Sequence, residues 1–261
     1  MSSNAAKVAL ITLDEISENA FLRENSTSFL VKNAAHLQPC ITGQTRREFD
    51  EIMKYRTTDS SRSHQGSVIL IGGVLEAFFA KIIDDYLLTL NSKLSKLDSS
   101  SKEAILDTYA VQAGNALQHL KTGTFLGVNF DFNRLKRALA TTFSNDQNYD
   151  LRGDVFTVRF GTCKSEKIES LFNQVGLSGP FDKDLGANKA VAKWAKDRSP
   201  TSAANYLREM LDDLGDLRND LAHGHPTNSI SHDLVKQHVA MSKVLVQAIN
   251  ERLFPENIEG E

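Results

Sequence analysis

Three features of the 261-residue chain predict an all-α fold. Apolar residues recur at helical spacing through most of its length, and convincing strand alternation is confined to Val155-Phe156-Thr157-Val158-Arg159-Phe160. Only five prolines occur, and Pro200 follows Ser199, a position that suits the first turn of a helix. With 41% hydrophobic and 24% charged residues, the composition is that of a folded globular protein with length enough to bury a sizeable core. Neither an internal repeat nor a Gly-, Ser- or Pro-rich linker divides the chain, so one domain over residues 1–261 is expected.

The periodicity predicts helices near 12–36, 44–56, 65–96, 101–119, 131–142, 165–175, 187–196, 200–223 and 231–254, with a short irregular or extended segment near 150–162. The third is apolar on nearly every side, from Val68 through Leu75 and Phe78 to Ile83, which marks it as the central helix or part of an oligomer interface. On a helical wheel Ile69, Gly72, Gly73, Glu76, Ala80 and Ile83 share one side, where two glycines and an alanine would let another backbone come close. Glu76 in that company is open to two readings: a carboxylate held beside an active site, or one salt-bridged at the edge of the core.

Lys+Arg number 30 against 33 Asp+Glu, a net charge of −3 that excludes a polybasic coat for nucleic acid or membrane surfaces. Cys40 and Cys163 stand at no metal-ligand spacing, so a disulfide framework is not expected and a reducing cytoplasm suits the chain. Met1-Ser2-Ser3-Asn4 lacks the basic start of a signal peptide, and the run Val68–Ala80, interrupted by Glu76, falls short of the roughly 20 apolar residues that cross a bilayer. No membrane association is expected. Lys121 to Lys167 differs in character: eight basic side chains against five acidic ones, interleaved with seven aromatic residues including Phe130, Tyr149 and Phe156. Such a mixture suits phosphates and stacked bases, and equally a small satellite core.

The sharpest local signal is Leu217-Arg218-Asn219-Asp220-Leu221-Ala222-His223-Gly224-His225-Pro226, which closes the helix opened by Ser199-Pro200. Leucines 207, 211, 214, 217 and 221 form one band that must face the core or another helix. Arg218 stands at its margin, with Asn219 and His223 four residues apart on the adjoining polar side. Structural roles explain part of the string: basic groups favour a helix C-terminus, Gly224 suits a left-handed cap and Pro226 stops continuation. An Arg-x4-6-His spacing alone arises roughly once by chance in such a chain. Placement at the end of an amphipathic helix, Asn directly after Arg, and the Ala-His-Gly ending give it weight.

That string resembles the Arg-x4-6-His motif of the HEPN superfamily, and the wider layout is similar to the RiboL-PSP type of HEPN domain. Gly73-Val74-Leu75-Glu76-Ala77-Phe78-Phe79, Phe172-Asn173-Gln174-Val175-Gly176-Leu177 and the helix opened by Ser231-His232-Asp233 support the resemblance, which covers roughly residues 60–254; residues 1–60 stand as an N-terminal helical extension. The resemblance implies a helical bundle that dimerises so that two motifs face each other. It further implies a metal-independent endoribonuclease of toxin-antitoxin or phage-defence systems, needing no cofactor. The expected catalytic residues are Arg218, His223 and Asn219, with Glu76 behind them.

The chemistry suits these types. Attack of a ribose 2′-hydroxyl on the adjacent phosphate needs a base, an acid and a cation, and leaves a 2′,3′-cyclic phosphate and a 5′-hydroxyl. Histidine exchanges protons near neutral pH, and arginine presents a planar cation to phosphate oxygens. Against this, Asp212, Asp213, Asp216 and Asp220 give the motif helix an acidic setting that repels RNA unless other groups compensate. A nuclease-inactive RNA-binding or regulatory partner in a defence complex is therefore the second reading. A metal site joining His223 and His225 to His232 or His238 is a third. Phosphate-binding glycine loops, a Gly-x-Ser-x-Gly elbow and a dinucleotide fingerprint are absent.

Overall fold

The computed structural model describes residues 3–37, 43–122, 133, 135–136, 139–140, 149–157, 163–196, 198–224 and 230–255; side chains are described outside 23–61, 119–122, 154 and 157. Its helices are α1 (Asn4–Leu37), α2 (Gly43–Asn91), α3 (Ser99–Thr122), α4 (Gly153–Thr157), α5 (Ser165–Gln174), α6 (Lys183–Ala187), α7 (Lys189–Ala195), α8 (Pro200–Ala222) and α9 (His232–Leu253), with a 3₁₀ turn at Leu94–Lys96. The expected all-α architecture is present, and no strand occurs among the described residues.

The long α2 lies at the centre, packed against α1, α8 and α9. Val68, Ile71, Leu75, Phe78, Ile82 and Leu87 recur three, four or five residues apart and are buried along one side, the stripe that drives such a helix into a core. Ile69, Leu70 and Leu88 of the same helix remain exposed. Two separate helices were expected over 44–56 and 65–96; a single helix of 49 residues runs through, because the polar stretch between them holds no proline to interrupt it. By length and composition its portion Arg62–Asn91 is apolar enough to cross a membrane, contrary to the sequence expectation, which counted only the uninterrupted apolar run. In the fold 44% of its most apolar window is buried, by helices that include α1, α8 and α9.

The N-terminal part of α1 belongs to the same core, with Ala5, Ala6, Ala9, Leu13 and Ile16 buried together with the α2 stripe. Helix α8 begins as the sequence requires: the Ser199 side chain accepts from the Ser202 N–H and Pro200 occupies the first turn. Its Leu207, Leu211 and Leu214 are buried, while Leu217 and Leu221 pack partly buried against the core. Ser231 caps α9 in the same manner, accepting from the Leu234 N–H at 3.2 Å. The helix expected over 187–196 is α7, and a further short helix, α6, which was not expected, precedes it and meets it at Asn188. That residue ends α6, and its side chain accepts from the Ala190 and Val191 N–H groups to start α7.

Over its described part, Val155–Thr157, the extended reading is corrected. Residues 153–157 form the single turn α4, with Val155 and Phe156 both buried, and 158–160 lie outside the described residues. Among the described residues no strand stands beside it to form a ladder. The run is fastened to α2 instead: the Asn91 side chain donates to the Leu151 carbonyl at 3.0 Å and accepts from its N–H at 2.9 Å. Gly153 lies so close to Asp84 that a Cβ there would stand 2.5 Å from the Asp84 Cα, and Phe156 packs on Tyr109 with ring centroids 5.7 Å apart. Most of the helix expected at 131–142, and Cys40, lie outside the described residues.

Candidate functional site

The last turns of α8 carry Arg218, Asn219 and His223, and α2 supplies Glu76 opposite them. Arg218 Nη2 donates to Glu76 Oε2 at 3.2 Å, and Nη1 donates to Asn219 Oδ1 at 3.2 Å. Both open readings of Glu76 thus meet in one contact: it is salt-bridged at the core edge, and its partner is the motif arginine. Arg218 keeps 26% of its side chain exposed and Glu76 19%, so the pair sits at the mouth of the α2–α8 seam rather than sealed within it. Burial pushes the Glu76 carboxyl above its usual range, and the Arg218 cation opposes that shift. Glu76 Oε1 and Arg218 Nε are buried without a hydrogen-bond partner among the described residues.

A glycine makes the room. A Cβ on Gly72 would stand 3.0 Å from the Arg218 Cγ, closer than packed carbons sit, whereas one on Gly73 would meet nothing within 4 Å. The small-residue side of α2 that the wheel grouped therefore admits a side chain at Gly72, where the sequence pattern alone predicted a backbone. His223 ends α8, its N–H donating to the Asn219 carbonyl at 3.0 Å, and its side chain is exposed. Gly224 follows with φ +70°, the left-handed cap expected of it. Arg218, Asn219 and Glu76 are brought into contact, and His223 stands one helical turn beyond Asn219 at the exposed end. His225 and Pro226 lie outside the described residues.

The acidic setting of the motif helix is largely spent on the protein's own contacts. Asp212 accepts from both the N–H and the hydroxyl of Ser165, each at 2.7 Å, and so caps α5 from a neighbouring helix. Asp216 pairs with Lys164 at 2.5 Å, and Asp213 acts electrostatically on buried His238. Gly215 admits this junction, since a Cβ there would meet the Lys164 Cγ at 3.1 Å and the Cys163 carbonyl oxygen at 3.5 Å. No sequence pattern announced these contacts, because the partners lie 47 residues apart in the case of Ser165 and Asp212.

Cys163 is buried beside the site, and its thiol is held well above the ordinary value by burial and then by Glu76, against Arg218; it is an inert core residue. Of the basic and aromatic segment 121–167, Phe156 joins the main core, Lys102 lies over the Tyr149 ring at 5.0 Å, and most of the remainder falls outside the described residues. For the metal reading, the His64 and His232 rings meet at a 43° tilt with centroids 5.8 Å apart, but no group of three or more His, Cys, Asp or Glu residues able to hold a metal gathers among the described residues.

An Arg-Asn pair and a His thus stand on one helix end, with a carboxylate from the central helix behind the arginine. The RiboL-PSP-HEPN family model matches residues 44–254, and the chain belongs to that family, whose members are generally ribonucleases. The match begins inside the first 60 residues, ahead of the span legible in the motifs. No curated protein and no solved structure matches the chain.

Proposed function

We propose that the protein is a metal-independent endoribonuclease that cleaves RNA by attack of a 2′-hydroxyl on the adjacent phosphate, leaving 2′,3′-cyclic phosphate and 5′-hydroxyl ends. The observation that supports this best is the partly exposed Arg218 guanidinium, held by Glu76 and Asn219, on the helix whose exposed end carries His223. In this reading Arg218 binds the phosphate and stabilises charge on its oxygens as the new bond forms. His223 takes the proton of the 2′-hydroxyl or returns one to the departing 5′-oxygen. Asn219 and Glu76 orient the guanidinium.

One histidine cannot be base and acid in the same instant, so the reading includes a homodimer in which each chain contributes His223 to a shared site. The setting we propose is cytoplasmic, within a toxin-antitoxin or phage-defence system. The test is purified protein on total RNA with chelator present, wild type beside Arg218→Ala and His223→Ala, and the product ends identified. Equal cleavage by all three removes the assignment. A dimer built from one Arg218→Ala and one His223→Ala chain separates a shared site from two independent ones.

One observation favours the alternative, a nuclease-inactive RNA-binding or regulatory protein. Both η nitrogens of Arg218 already have acceptors, so a phosphate must displace Glu76 or share the cation with it. A dimer that binds RNA and leaves it intact under every condition tested selects that reading.

A further inference from the structure

Some way from the motif, three planar groups are stacked at the surface. The Trp194 indole of α7 lies on the Tyr206 ring of α8 with centroids 5.0 Å apart and planes 20° from parallel. The Arg198 guanidinium carbon stands 3.8 Å above the same Tyr206 ring. A cation placed directly over the ring fills that face, so the indole must occupy the other, and Tyr206 is the middle rung of an Arg-Tyr-Trp ladder. Arg198 Nη1 donates to the Ala195 carbonyl at 2.8 Å, which fixes the guanidinium at the end of α7.

Trp194 and Tyr206 are half-buried and Arg198 is exposed, so the ladder is open at its end. Cations surround it: Lys183, Lys189, Lys193 and Lys196 are exposed, and residues 183–198 carry five basic groups against Asp184 and Asp197. The large exposed apolar side chains described, such as Ile11, Leu70 and Val111, belong to α1, α2 and α3 rather than to α7 or α8. Stacked π-surfaces among positive charges fit unpaired bases and their phosphates, whereas a duplex hides its base faces and protein interfaces are depleted in the lysines that surround this ladder.

We propose that the Arg198–Tyr206–Trp194 ladder, with Lys193 and Lys196, is a platform for single-stranded RNA. Tyr206 and Arg218 share α8, twelve residues apart, which is about 18 Å along the helix axis. A strand whose phosphate reaches Arg218 thus has a second hold on the same rigid element. The proposal rests on RNA being the substrate of the motif, and its test works without cleavage.

The probe is a single strand of about 12 nucleotides, within the span of known single-strand sites, with every 2′-hydroxyl methylated so that it cannot be cut. Trp194 is the only tryptophan in the chain, so its own fluorescence reports the site. Saturating probe is expected to change Trp194 emission, and a duplex of equal length is not. Trp194→Ala should weaken binding about tenfold or more, and Trp194→Phe, which keeps a ring, should restore most of it. Lys193→Ala with Lys196→Ala should flatten the slope of log affinity against log salt by about 1.4.

Unchanged Trp194 emission at saturation, wild-type affinity in Trp194→Ala, equal binding of the duplex, or no binding of the probe each overturns the platform. Normal cleavage of unmodified RNA beside any of these results removes the platform alone. Binding as expected with unmodified RNA left intact removes the nuclease reading and keeps the platform.

Discussion

The two adjacent glycines of α2 permit a test in which one substitution serves as the control for the other. Replacing glycine by alanine inside a helix stabilises it by about 0.8–1 kcal/mol, whichever of the pair is changed. At Gly73 an added Cβ meets nothing within 4 Å, so Gly73→Ala should gain that amount. At Gly72 the Cβ would lie 3.0 Å from the Arg218 Cγ and 3.6 Å from its Cβ. Carbons pack at about 3.5–4.0 Å, so Arg218 must retreat by about 0.5 Å or leave its rotamer well at about 0.5–1.5 kcal/mol. The propensity gain and the steric cost then nearly cancel, and Gly72→Ala should melt within a few degrees of wild type.

Activity should separate the two sharply. The guanidinium holds Glu76 and Asn219 at 3.2 Å each, and a shift of the stem is carried to its tip. A displacement approaching 1 Å in a positioning group costs about 100-fold in rate, so Gly72→Ala should lose roughly 10- to 100-fold in cleavage while Gly73→Ala keeps wild-type turnover. Paired thermal melts and initial rates on one RNA substrate measure both. If the two variants gain stability alike and cleave alike, the clearance at Gly72 has no bearing on Arg218 and the reasoning fails.

Three other outcomes are expected. Asp212→Ala removes both 2.7 Å acceptor contacts to Ser165 and should cost about 2 kcal/mol, read by denaturant unfolding; an unchanged midpoint would dismiss the cross-helix cap. Glu76 has its folded value raised above the ordinary 4.5 by burial, so its contribution is full below that pH and is lost as pH rises through the folded value. Glu76→Gln should therefore be at least as stable as wild type at pH 7, with the advantage vanishing below about pH 4.5; a large loss at neutral pH would show that pairing outweighs burial. His238 has its value lowered from 6.5 by burial against the pull of Asp213, so stability is present above pH 6.5 and declines as pH falls toward the folded value, by up to about 1.4 kcal/mol per pH unit. His238→Leu should erase that decline, and melts at stepped pH would expose a failure.

The sequence makes visible whatever depends on local spacing. The α8 leucine band, the Ser199 and Ser231 caps and the left-handed Gly224 all follow from residues within one or two turns of each other. Arg218, Asn219 and His223 are legible for the same reason, and Glu76 emerges because a lone carboxylate among apolar neighbours needs a partner. Hidden from it are the pairings made across the fold: Gly72 clearing Arg218, Asp212 capping Ser165, and the rings of Trp194 and Tyr206 meeting from two helices. The alternation at Val155–Phe160 misleads because period-two spacing over six residues also fits a helical turn whose adjacent Val155 and Phe156 are both taken into the core.

Helix α5 opens on Lys164, whose side chain makes no capping bond, and takes its first-turn acceptor from Asp212 instead. A ten-residue helix is too short to nucleate well alone, and one that borrows its cap has no stable beginning until the lender is in place. The expected dependence is one-way: α5 needs α8 in place for its cap, and α8 takes no cap from α5. Amide protons of α5 should then never outlast those around Asp212 in exchange with heavy water, since every opening of the lending helix releases the borrowed cap.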